Sequence, residues 1–310
     1  MELRGANVAV TGATGFLGRY IVDTLLARGA RVIGVVRNPD RVPELAARGV
    51  ELRRADLAER DRLAAGFAGA DAVVSNAALF SLRNARWDDH ERANIQGTEN
   101  VFDAIAGAGV KRVVHISSVA VYRGHSPPVD EDAAQLGPDT RRGFTNSYSI
   151  SKALSEQAAW RLAGRHGLAL TTIRPCAIYG AFDPNFTAVF RRLIGFPIGI
   201  MPSSLRLSLV YAGDVAEAVA RALERQASAG RAYNVTGDDL PVWEFARAWR
   251  EAGGRVGWFL VPIPVPLVRM FDNGRAEREL GWRNRPFVDA LRETFTLERG
   301  GAAQAPSRSR

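Results

Sequence analysis

Short apolar runs alternate with longer segments of helical periodicity over the first two-thirds of the chain. The runs are rich in β-branched residues and end at turn residues, which is typical of buried strands. The predicted strands are Asn7–Thr11, Arg31–Val36, Glu51–Arg54, Ala72–Ser75, Arg112–Ser117 and Ala169–Arg174. The predicted helices are Leu17–Arg28, Leu57–Phe67, Asp89–Ala108 and Ser147–Arg165. This alternation predicts an α/β fold, a doubly wound parallel sheet of the Rossmann type with helices on both faces.

The pattern loosens after residue 174. Residues 176–206 and 233–298 are rich in proline, glycine and aromatic residues. Between them, Leu207–Leu223 reads as a strand and a helix that return to the sheet. We therefore expect a sheet domain over 1–175 and 207–232, and a smaller, discontinuous C-terminal substrate lobe over 176–206 and 233–298. The tail 299–310 lacks apolar residues to bury and is predicted to be disordered.

Composition narrows the function classes. The formal net charge is +8, but the arginines are scattered, without a basic run interleaved with aromatics, so no nucleic-acid partner is predicted. A single cysteine, Cys176, and four scattered histidines predict neither a disulfide nor a metal site. No apolar run reaches the roughly 20 residues of a bilayer span. The first strand begins too early to leave room for a signal peptide, so we expect a cytoplasmic protein.

A glycine-rich turn joins the first strand to the first helix. Three glycines at this spacing permit a tight turn, backbone approach to a pyrophosphate and close packing of helix on strand. The start of the helix then offers N–H groups to the phosphates. The residues of this turn predicted to hold a cofactor are Gly12, Thr14, Gly15, Phe16, Leu17 and Gly18. Residues 1–175 are therefore the predicted dinucleotide-binding domain.

Arg37 follows the second strand, where sites selective for NAD carry an acidic residue. A guanidinium suits a ribose phosphate, so we expect NADP (NADPH) to be favoured over NAD. Arg41 is a further candidate for the phosphate, whereas Asp40 could reach a ribose hydroxyl instead.

Two more segments are expected to line the cofactor. Asp56, followed by Leu57 after the third strand, could accept a hydrogen bond from the adenine amino group or cap the next helix. Asn76, Ala77 and Ala78 follow the fourth strand, where their small side chains would let the backbone pass close to the cofactor.

Tyr148 and Lys152 form the candidate catalytic pair. The chain has only two lysines, Lys111 and Lys152, and one of them lies four residues after a tyrosine. On a helix this spacing places both side chains on one face. A phenol has a pKa near ~10, and a neighbouring ammonium is expected to lower it. Such a tyrosine can exchange a proton with a carbonyl or an alcohol.

Several motifs, taken in order, resemble those of the extended short-chain dehydrogenase/reductase family over nearly the whole chain. They are Thr11-Gly12-Ala13-Thr14-Gly15-Phe16-Leu17-Gly18, Asp56-Leu57, Asn76-Ala77-Ala78, Asn94 with Gly97-Thr98, His115–Tyr122, Tyr148–Lys152, Arg174-Pro175, Tyr179-Gly180 and Asp214-Val215-Ala216. The resemblance implies an NAD(P)-dependent oxidoreductase. It also implies that family members often dimerise through helices such as Asp89–Ala108 and Ser147–Arg165.

The resemblance assigns roles to individual residues. Ser118 would hydrogen-bond the substrate oxygen, Tyr148 would transfer the proton, and Lys152 would tune Tyr148 and hold the nicotinamide ribose. Ser117, the neighbour of Ser118, is a further candidate contact of the cofactor. Asn94 would support a helix kink or a water relay, or be structural. Pro175 would shape the chain past the nicotinamide.

Three reactions occur among the relatives that the motifs suggest. Dehydratases carry an Asp-Glu pair where this chain has Val119 and Ala120, so dehydration is rejected. Nucleotide-sugar epimerases often carry an asparagine where this chain has the apolar Cys176-Ala177-Ile178. That stretch resembles the 3β-hydroxysteroid dehydrogenase and dihydroflavonol reductase branch, as does the turn Val35–Pro39. The apolar segment Trp258–Val268 could line a pocket or simply pack.

The sequence therefore predicts an NADPH-dependent reductase, reversible as an alcohol dehydrogenase, of a fairly apolar ketone or aldehyde. The first alternative is a nucleotide-sugar epimerase, with Arg206 and Arg269 as candidates for a diphosphate clamp. The second is a non-catalytic NADP-binding regulatory protein, which retention of the Tyr148 and Lys152 pair argues against. A homodimer fits the apolar residues of the two long helices, which would equally fit against the sheet.

Overall fold

A computed structural model describes residues 1–80, 86–124, 128–140, 147–187, 191, 198–202, 206–257, 259–263 and 270–304. The strands are β1 (Asn7–Thr11), β2 (Arg31–Val36), β3 (Glu51–Arg54), β4 (Ala72–Ser75), β5 (Arg112–Ile116), β6 (Ala169–Pro175), β7 (Ala177–Tyr179), β8 (Ile198–Pro202), β9 (Arg206–Tyr211), β10 (Arg231–Val235), β11 (Asp239–Pro241) and β12 (Phe259–Ile263). The α-helices are α1 (Phe16–Ala27), α2 (Pro43–Ala46), α3 (Arg60–Phe67), α4 (Trp87–His90), α5 (Gly97–Gly107), α6 (Ser147–His166), α7 (Ala212–Glu224), α8 (Val242–Glu251) and α9 (Phe287–Gln304).

Seven parallel strands form the main sheet, in the order β10-β6-β5-β4-β1-β2-β3. The first six strands thus follow the order 3-2-1-4-5-6 of a doubly wound dinucleotide-binding fold. The predicted fold class is confirmed. The switch point lies between β1 and β4, at whose carboxyl ends such folds bind their ligands.

Helices cover both faces of the sheet. Alternate residues of β1 point to opposite faces and pack into two different core clusters. Val8 and Val10 pack into one core cluster with apolar residues of α1 and α7, such as Ile21 and Val219. Ala9 packs into the other, with residues of α3, α5 and α6 such as Phe102. Burial on both faces explains why β1 reads as an unbroken apolar run.

The strand of the predicted returning unit does not join the main sheet. β9 lies between β7 and β11 in a separate three-stranded sheet, while α7 packs against α1. The strand that returns is β10, which pairs with β6 in the register Tyr233↔Ile173. The prediction was wrong here because β7 follows β6 almost at once and provides β9 with a nearer parallel partner. The domain boundaries themselves stay a prediction.

The C-terminal segment also differs from expectation. α9 packs Phe287 and Leu291 into a cluster with Phe245 and Trp249 of α8, and continues to Gln304. Disorder was therefore wrongly predicted for residues 299–304, because a packed helix gains one hydrogen bond with each added residue. Residues 305–310 lie outside the described residues. So do residues 258 and 264–268 of the predicted apolar segment, and residues 259–263 form β12.

Candidate active site

The glycine-rich turn forms a tight cradle between β1 and α1. Gly12 has a φ of +67°, and a Cβ there would lie 3.0 Å from the Cα of Ala77. A Cβ on Gly18 would lie 1.9 Å from the Gly12 carbonyl oxygen. The Gly15 N–H donates to that same oxygen at 3.0 Å. Side chains at 12 and 18 would therefore disrupt the turn.

The turn is fastened to the end of β4. The Thr11 hydroxyl oxygen accepts from the N–H groups of Asn76 at 3.0 Å and Ala77 at 3.2 Å. The Asn76 side-chain amide donates to the Gly12 carbonyl at 3.3 Å. Gly15, the N-cap of α1, provides no side-chain cap, and the first turn carries no acidic residue. The helix N-terminus thus suits the pyrophosphate of a dinucleotide.

The other predicted cofactor contacts surround this cradle. Arg37 is exposed just after β2, and within the described part of the chain no carboxylate pairs with it. Asp56 accepts the Ala58 N–H at 3.0 Å, which caps the turn before α3. This helix begins at Arg60, so Leu57 lies in the turn and not in the predicted helix. Contact with the adenine stays a prediction.

Ser118 and Tyr148 meet at the carboxyl end of β5. The Ser118 Oγ accepts the Ala120 N–H at 3.1 Å, and the same side chain hydrogen-bonds to the Tyr148 phenol. Ser117 faces the other way. Its side chain is buried against Glu156, and its N–H donates to the Ile173 carbonyl at 2.8 Å. Of the two serines, Ser118 is thus the one beside Tyr148, and the cofactor contact of Ser117 stays a prediction.

The expected lowering of the Tyr148 pKa by Lys152 is wrong for the protein alone. Burial raises the pKa of Tyr148 to about 12, against the opposing effect of the Ser118 hydrogen bond. Lys152 is 3% exposed, and its Nζ donates to the Ile116 carbonyl at 2.9 Å. Burial lowers the pKa of Lys152 to about 8. The ammonium is thus one turn from the phenol but bonded to the strand.

Asn94 lies in a π-helical turn, Glu91–Gln96, between α4 and α5. Asn94 is 1% exposed, and its side chain hydrogen-bonds to both the N–H and the carbonyl of Leu79. The Asn94 Oδ1 accepts the Leu79 N–H at 2.7 Å, and its Nδ2 donates to the Leu79 carbonyl at 3.1 Å. Nδ2 also donates to the Ser151 hydroxyl at 2.9 Å. The helix departs from α-helical hydrogen bonding here, while the expected kink and a catalytic role for Asn94 stay predictions.

Phe80 completes the surroundings of Tyr148 and was missed from the sequence. Its ring lies 4.9 Å from the Tyr148 ring, centroid to centroid, in an edge-to-face arrangement at 88°. Phe80 is nevertheless 42% exposed. His90, buried in α4, approaches Tyr148 from another side at 6.2 Å. No spacing rule marks a single aromatic residue in a loop, so the sequence carried no signal for Phe80.

Other predicted residues line the end of β6. Pro175 is the last residue of β6 and aligns with Val235 of β10. Burial raises the pKa of the Cys176 thiol to about 12, which leaves it a packing residue rather than a nucleophile. Among the residues that the structure describes, no group of three His, Cys, Asp or Glu side chains could hold a metal. None of the described helices is long and apolar enough to cross a bilayer.

Comparison with known proteins identifies the family. Residues 8–236 match the model of the NAD dependent epimerase/dehydratase family. The chain belongs to this family. The model covers the glycine cradle, Ser118, Tyr148 and Lys152, so the candidate site lies within the matched region. The resemblance to extended short-chain dehydrogenases/reductases is confirmed.

Relatives of this family member are named as oxidoreductases. A 4-hydroxy-2-methyl-3-oxo-4-farnesyl-3,4-dihydroquinoline-1-oxide ketoreductase from Stigmatella aurantiaca is 30% identical over 94% of this chain and 97% of the relative. A 3 beta-hydroxysteroid dehydrogenase/Delta 5-->4-isomerase from Mycobacterium tuberculosis (strain H37Rv) is 30% identical over 86% of this chain and 75% of the relative. The protein is accordingly an NAD(P)-dependent enzyme of the extended short-chain dehydrogenase/reductase type.

A solved structure shows the same architecture. UDP-N-acetylglucosamine 4-epimerase from Bacillus cereus superimposes with a TM-score of 0.80, at 25% identity, over 96% of this chain and 100% of that one. The family thus includes both reductases and epimerases on closely similar folds. The reaction must therefore be argued from the site itself.

Proposed function

We propose that this family member is an NADPH-dependent reductase of a fairly apolar ketone or aldehyde. Tyr148 is the proton donor, and the enzyme works in reverse as an alcohol dehydrogenase. Ser118 and Lys152 act beside Tyr148. The small-molecule carbonyl binds at the carboxyl end of the main sheet, where Tyr148 and Phe80 meet.

One observation carries the proposal: a short segment links the glycine cradle to Tyr148. Asn76 and Ala77 lie against the cradle, and Phe80 lies against the Tyr148 ring. Four residue steps span at most about 14 Å. A dinucleotide held at the cradle can therefore extend along this segment to the phenol. When bound, its reduced nicotinamide supplies the hydride.

The side chains of the protein supply the proton and the orientation of the carbonyl. The Ala120 N–H occupies a lone pair of the Ser118 hydroxyl, which directs the hydroxyl proton away from the turn. Ser118 can then donate to the substrate oxygen while Tyr148 Oη delivers its proton to that oxygen as the alcohol forms. The Lys152 ammonium lies one helical turn from Tyr148 and stabilises the phenolate that remains.

The pKa of Tyr148 favours reduction at neutral pH. At a pKa of about 12, the phenol stays protonated and is ready to donate. Oxidation of an alcohol needs the phenolate, whose fraction grows as pH rises. The reductive reaction should therefore dominate at neutral pH and the oxidative one should gain at alkaline pH.

An exposed aromatic ring beside the proton donor supports an apolar substrate. Phe80 offers a large hydrophobic surface next to Tyr148, and covering it with substrate removes apolar area from water. The relatives described above act, by their names, on a farnesylated quinoline and on steroids. Both names describe bulky apolar molecules with a ketone or secondary alcohol, which supports the same substrate class here.

The preference for NADPH is supported by Arg37. Its exposed guanidinium follows β2 and has no carboxylate partner within the described residues, so it is available to a ribose phosphate.

Replacement of Tyr148 tests the proposal. Purified protein is assayed for NADPH oxidation with steroid, flavonoid, aldehyde and keto-ester carbonyls. We expect Tyr148→Phe to lower kcat about 100-fold or more, with nearly unchanged NADPH affinity by fluorescence titration. Tyr233→Phe, which removes a buried phenol bonded to Glu279, controls for loss of a hydroxyl and should retain turnover. Full activity of Tyr148→Phe would refute the proposal.

A nucleotide-sugar epimerase is the second candidate, favoured by the similarity to the Bacillus cereus epimerase structure. Arg206, one candidate for its diphosphate clamp, is exposed and donates to the Asp239 carbonyl at 3.3 Å. Arg269 lies outside the described residues. Inversion of a nucleotide sugar without net consumption of NADPH would decide for this reaction.

A further inference from the structure

Tyr148, Lys152 and Glu156 follow one another at intervals of four residues on α6. They therefore share one face of the helix. Lys152 and Glu156 are both buried, and Glu156 is 0% exposed. Two ionisable groups placed in a core need partners, because burial without them is expensive. The partners of Glu156 explain how this pair is arranged.

The guanidinium of Arg174, on β6, contacts both carboxylate oxygens of Glu156. Its Nε lies 3.0 Å and 3.1 Å from the two Glu156 oxygens, and its Nη2 lies 2.5 Å from Oε1. The indole N–H of Trp160 donates to Oε1 at 3.2 Å, and the Gln135 amide donates to it at 3.3 Å. The carboxylate is thus held in place, mainly through Oε1.

This arrangement gives Lys152 a negative neighbour that does not capture it. The hydrogen bond of Lys152 goes to the Ile116 carbonyl at 2.9 Å, while Glu156 accepts hydrogen bonds from Arg174, Trp160 and Gln135. Glu156 acts on Lys152 through its field and opposes the loss of the proton that burial favours. The ammonium therefore stays on the strand side, one turn from Tyr148.

The other groups around Lys152 do not replace this charge. His115 of β5 is buried and has a pKa well below its ordinary value, owing to burial and to Lys152 itself, so it is neutral. Tyr148, with a pKa raised to about 12, is neutral too. Arg174 is positive and is paired with Glu156. Among the described residues, Glu156 is the carboxylate that favours the charged form of Lys152.

We propose that Glu156, held by Arg174, is a positioning residue that keeps Lys152 protonated in its buried place beside Tyr148. This inference rests on the proposed function, because the charge of Lys152 matters to the reaction through the phenolate that reduction leaves. Arg174 has a second role in this arrangement. By occupying the carboxylate, it prevents Glu156 from pulling the ammonium away from Ile116.

The test removes both charges of the ion pair. Glu156→Gln alone strands a buried guanidinium and is expected to impair folding. Glu156→Gln combined with Arg174→Met leaves no buried guanidinium without a carboxylate, while Lys152 still loses the nearby negative charge. Glu131→Gln is the matched control. Glu131 is also a buried carboxylate, and its backbone carbonyl accepts from Arg174, but its side chain bonds to Asn234 instead.

The lysine content allows a direct measurement. With only Lys111 and Lys152 in the chain, full-length protein labelled with ¹³C at the lysine ε-carbon gives two signals. Lys111 is exposed and serves as the reference. We expect Lys152 to titrate near pH 8 in the wild type and in Glu131→Gln, and about one pH unit lower in the double variant. An unchanged midpoint in the double variant would overturn the inference.

Kinetics separate this inference from the proposed function. In NADPH-linked reduction, kcat should fall above about pH 8 in the wild type and above about pH 7 in the double variant, so that at pH 8 the double variant retains roughly one-fifth of the wild-type kcat. A shifted NMR midpoint with an unshifted kcat profile would overturn the catalytic part of the inference. A wild type without reductase turnover, but with the shifted midpoint, would refute the proposed function and leave the effect of Glu156 on Lys152 standing.

Discussion

At the scale of single residues, burial affects the pKa values of Tyr148 and Lys152 more than their interaction with each other does. Desolvation moves both pKa values towards the neutral forms, upward for Tyr148 and downward for Lys152. A sequence gives the spacing of two side chains but not the dielectric around them. The spacing therefore predicted the pair correctly, while the direction of the Tyr148 pKa followed only from the fold.

Other residues of the site also divide into those that a sequence pattern predicts and those that only the fold brings together. Tyr148, Lys152 and Glu156 follow one another at intervals of four residues, so the helical spacing that predicts the first two on one face also predicts Glu156 there. Ser118 was separated from Ser117 by its place in a motif, and the structure puts it beside Tyr148. The clamp of Asn94 on the Leu79 backbone joins segments 15 residues apart with no periodic signal.

Cofactor choice is a prediction at the residue scale. We expect Arg37→Asp to lower kcat/KM with NADPH and to shift the NADPH/NADH ratio about tenfold or more towards NADH. The new carboxylate would repel a ribose phosphate and accept hydrogen bonds from ribose hydroxyls. Steady-state kinetics with both cofactors provide the measurement. Arg31→Asp makes the same charge change at the exposed amino end of β2, and an equal shift there, or none at Arg37, would contradict the assignment.

At the scale of elements, β1 and α1 form a unit whose geometry depends on glycine. Strands β1 to β4 were predicted with the bounds that the structure has. Buried apolar runs with sharp ends mark β1, β2 and β4, whereas β3 is a polar, partly exposed strand at the edge of the sheet. Pairing was harder to predict. β9 carries no signal of its own for which sheet it joins, since its partner is decided by the loop that returns it beside β7.

The close approach of Gly18 to the Gly12 carbonyl leads to an element-scale prediction. Gly18→Ala should destabilise the protein by about 2 kcal/mol and weaken NADPH binding at least tenfold, because the methyl group forces the turn open. Thermal unfolding and fluorescence titration measure both effects.

Gly164 is the matched control for this substitution. It lies exposed on α6, and no atom lies within 4 Å of a Cβ built there. Gly164→Ala should leave binding unchanged and stabilise the protein by up to about 1 kcal/mol, through helix propensity. Wild-type binding by Gly18→Ala would show that the turn is not the cofactor cradle.

At the scale of the whole molecule, Asn234 ties distant segments together. Its side chain accepts from the Tyr122 hydroxyl at 2.6 Å and donates to the carbonyls of Val129 at 3.1 Å and Asp272 at 3.2 Å. Its N–H donates to Glu131 at 2.8 Å. The edge strand β10 is thus joined to segments on either side of it in sequence.

Loss of this connection should be costly. Asn234→Ala removes three hydrogen bonds, those with the Tyr122 hydroxyl and the Val129 and Asp272 carbonyls, and we expect the free energy of unfolding to fall by about 3 kcal/mol. Urea denaturation measures it. Asn284→Ala removes an asparagine with exposed hydrogen bonds to Asp238 and should lower stability by under about 1 kcal/mol. Equal losses in the two variants would show that Asn234 is not a structural hub.

The two long helices of the predicted dimer use their apolar residues within the subunit. Ile105 of α5 and Leu162 of α6 belong to the core under the sheet. Between the helices lie the Thr98–Ser155 hydrogen bond and the Glu99–Arg161 ion pair. Homodimerisation stays a prediction, and any interface formed by these helices would use their polar outer faces.

The fastening of Leu79 by Asn94 has a practical consequence for position 80. The backbone of Leu79, just before Phe80, is held by two hydrogen bonds from the Asn94 side chain. The path of the chain there therefore does not depend on which side chain stands at position 80. Mutant libraries at this single codon should therefore yield folded proteins in most cases, and variation in substrate scope should be separable from variation in expression. Catalyst engineering on this scaffold has its natural starting point there.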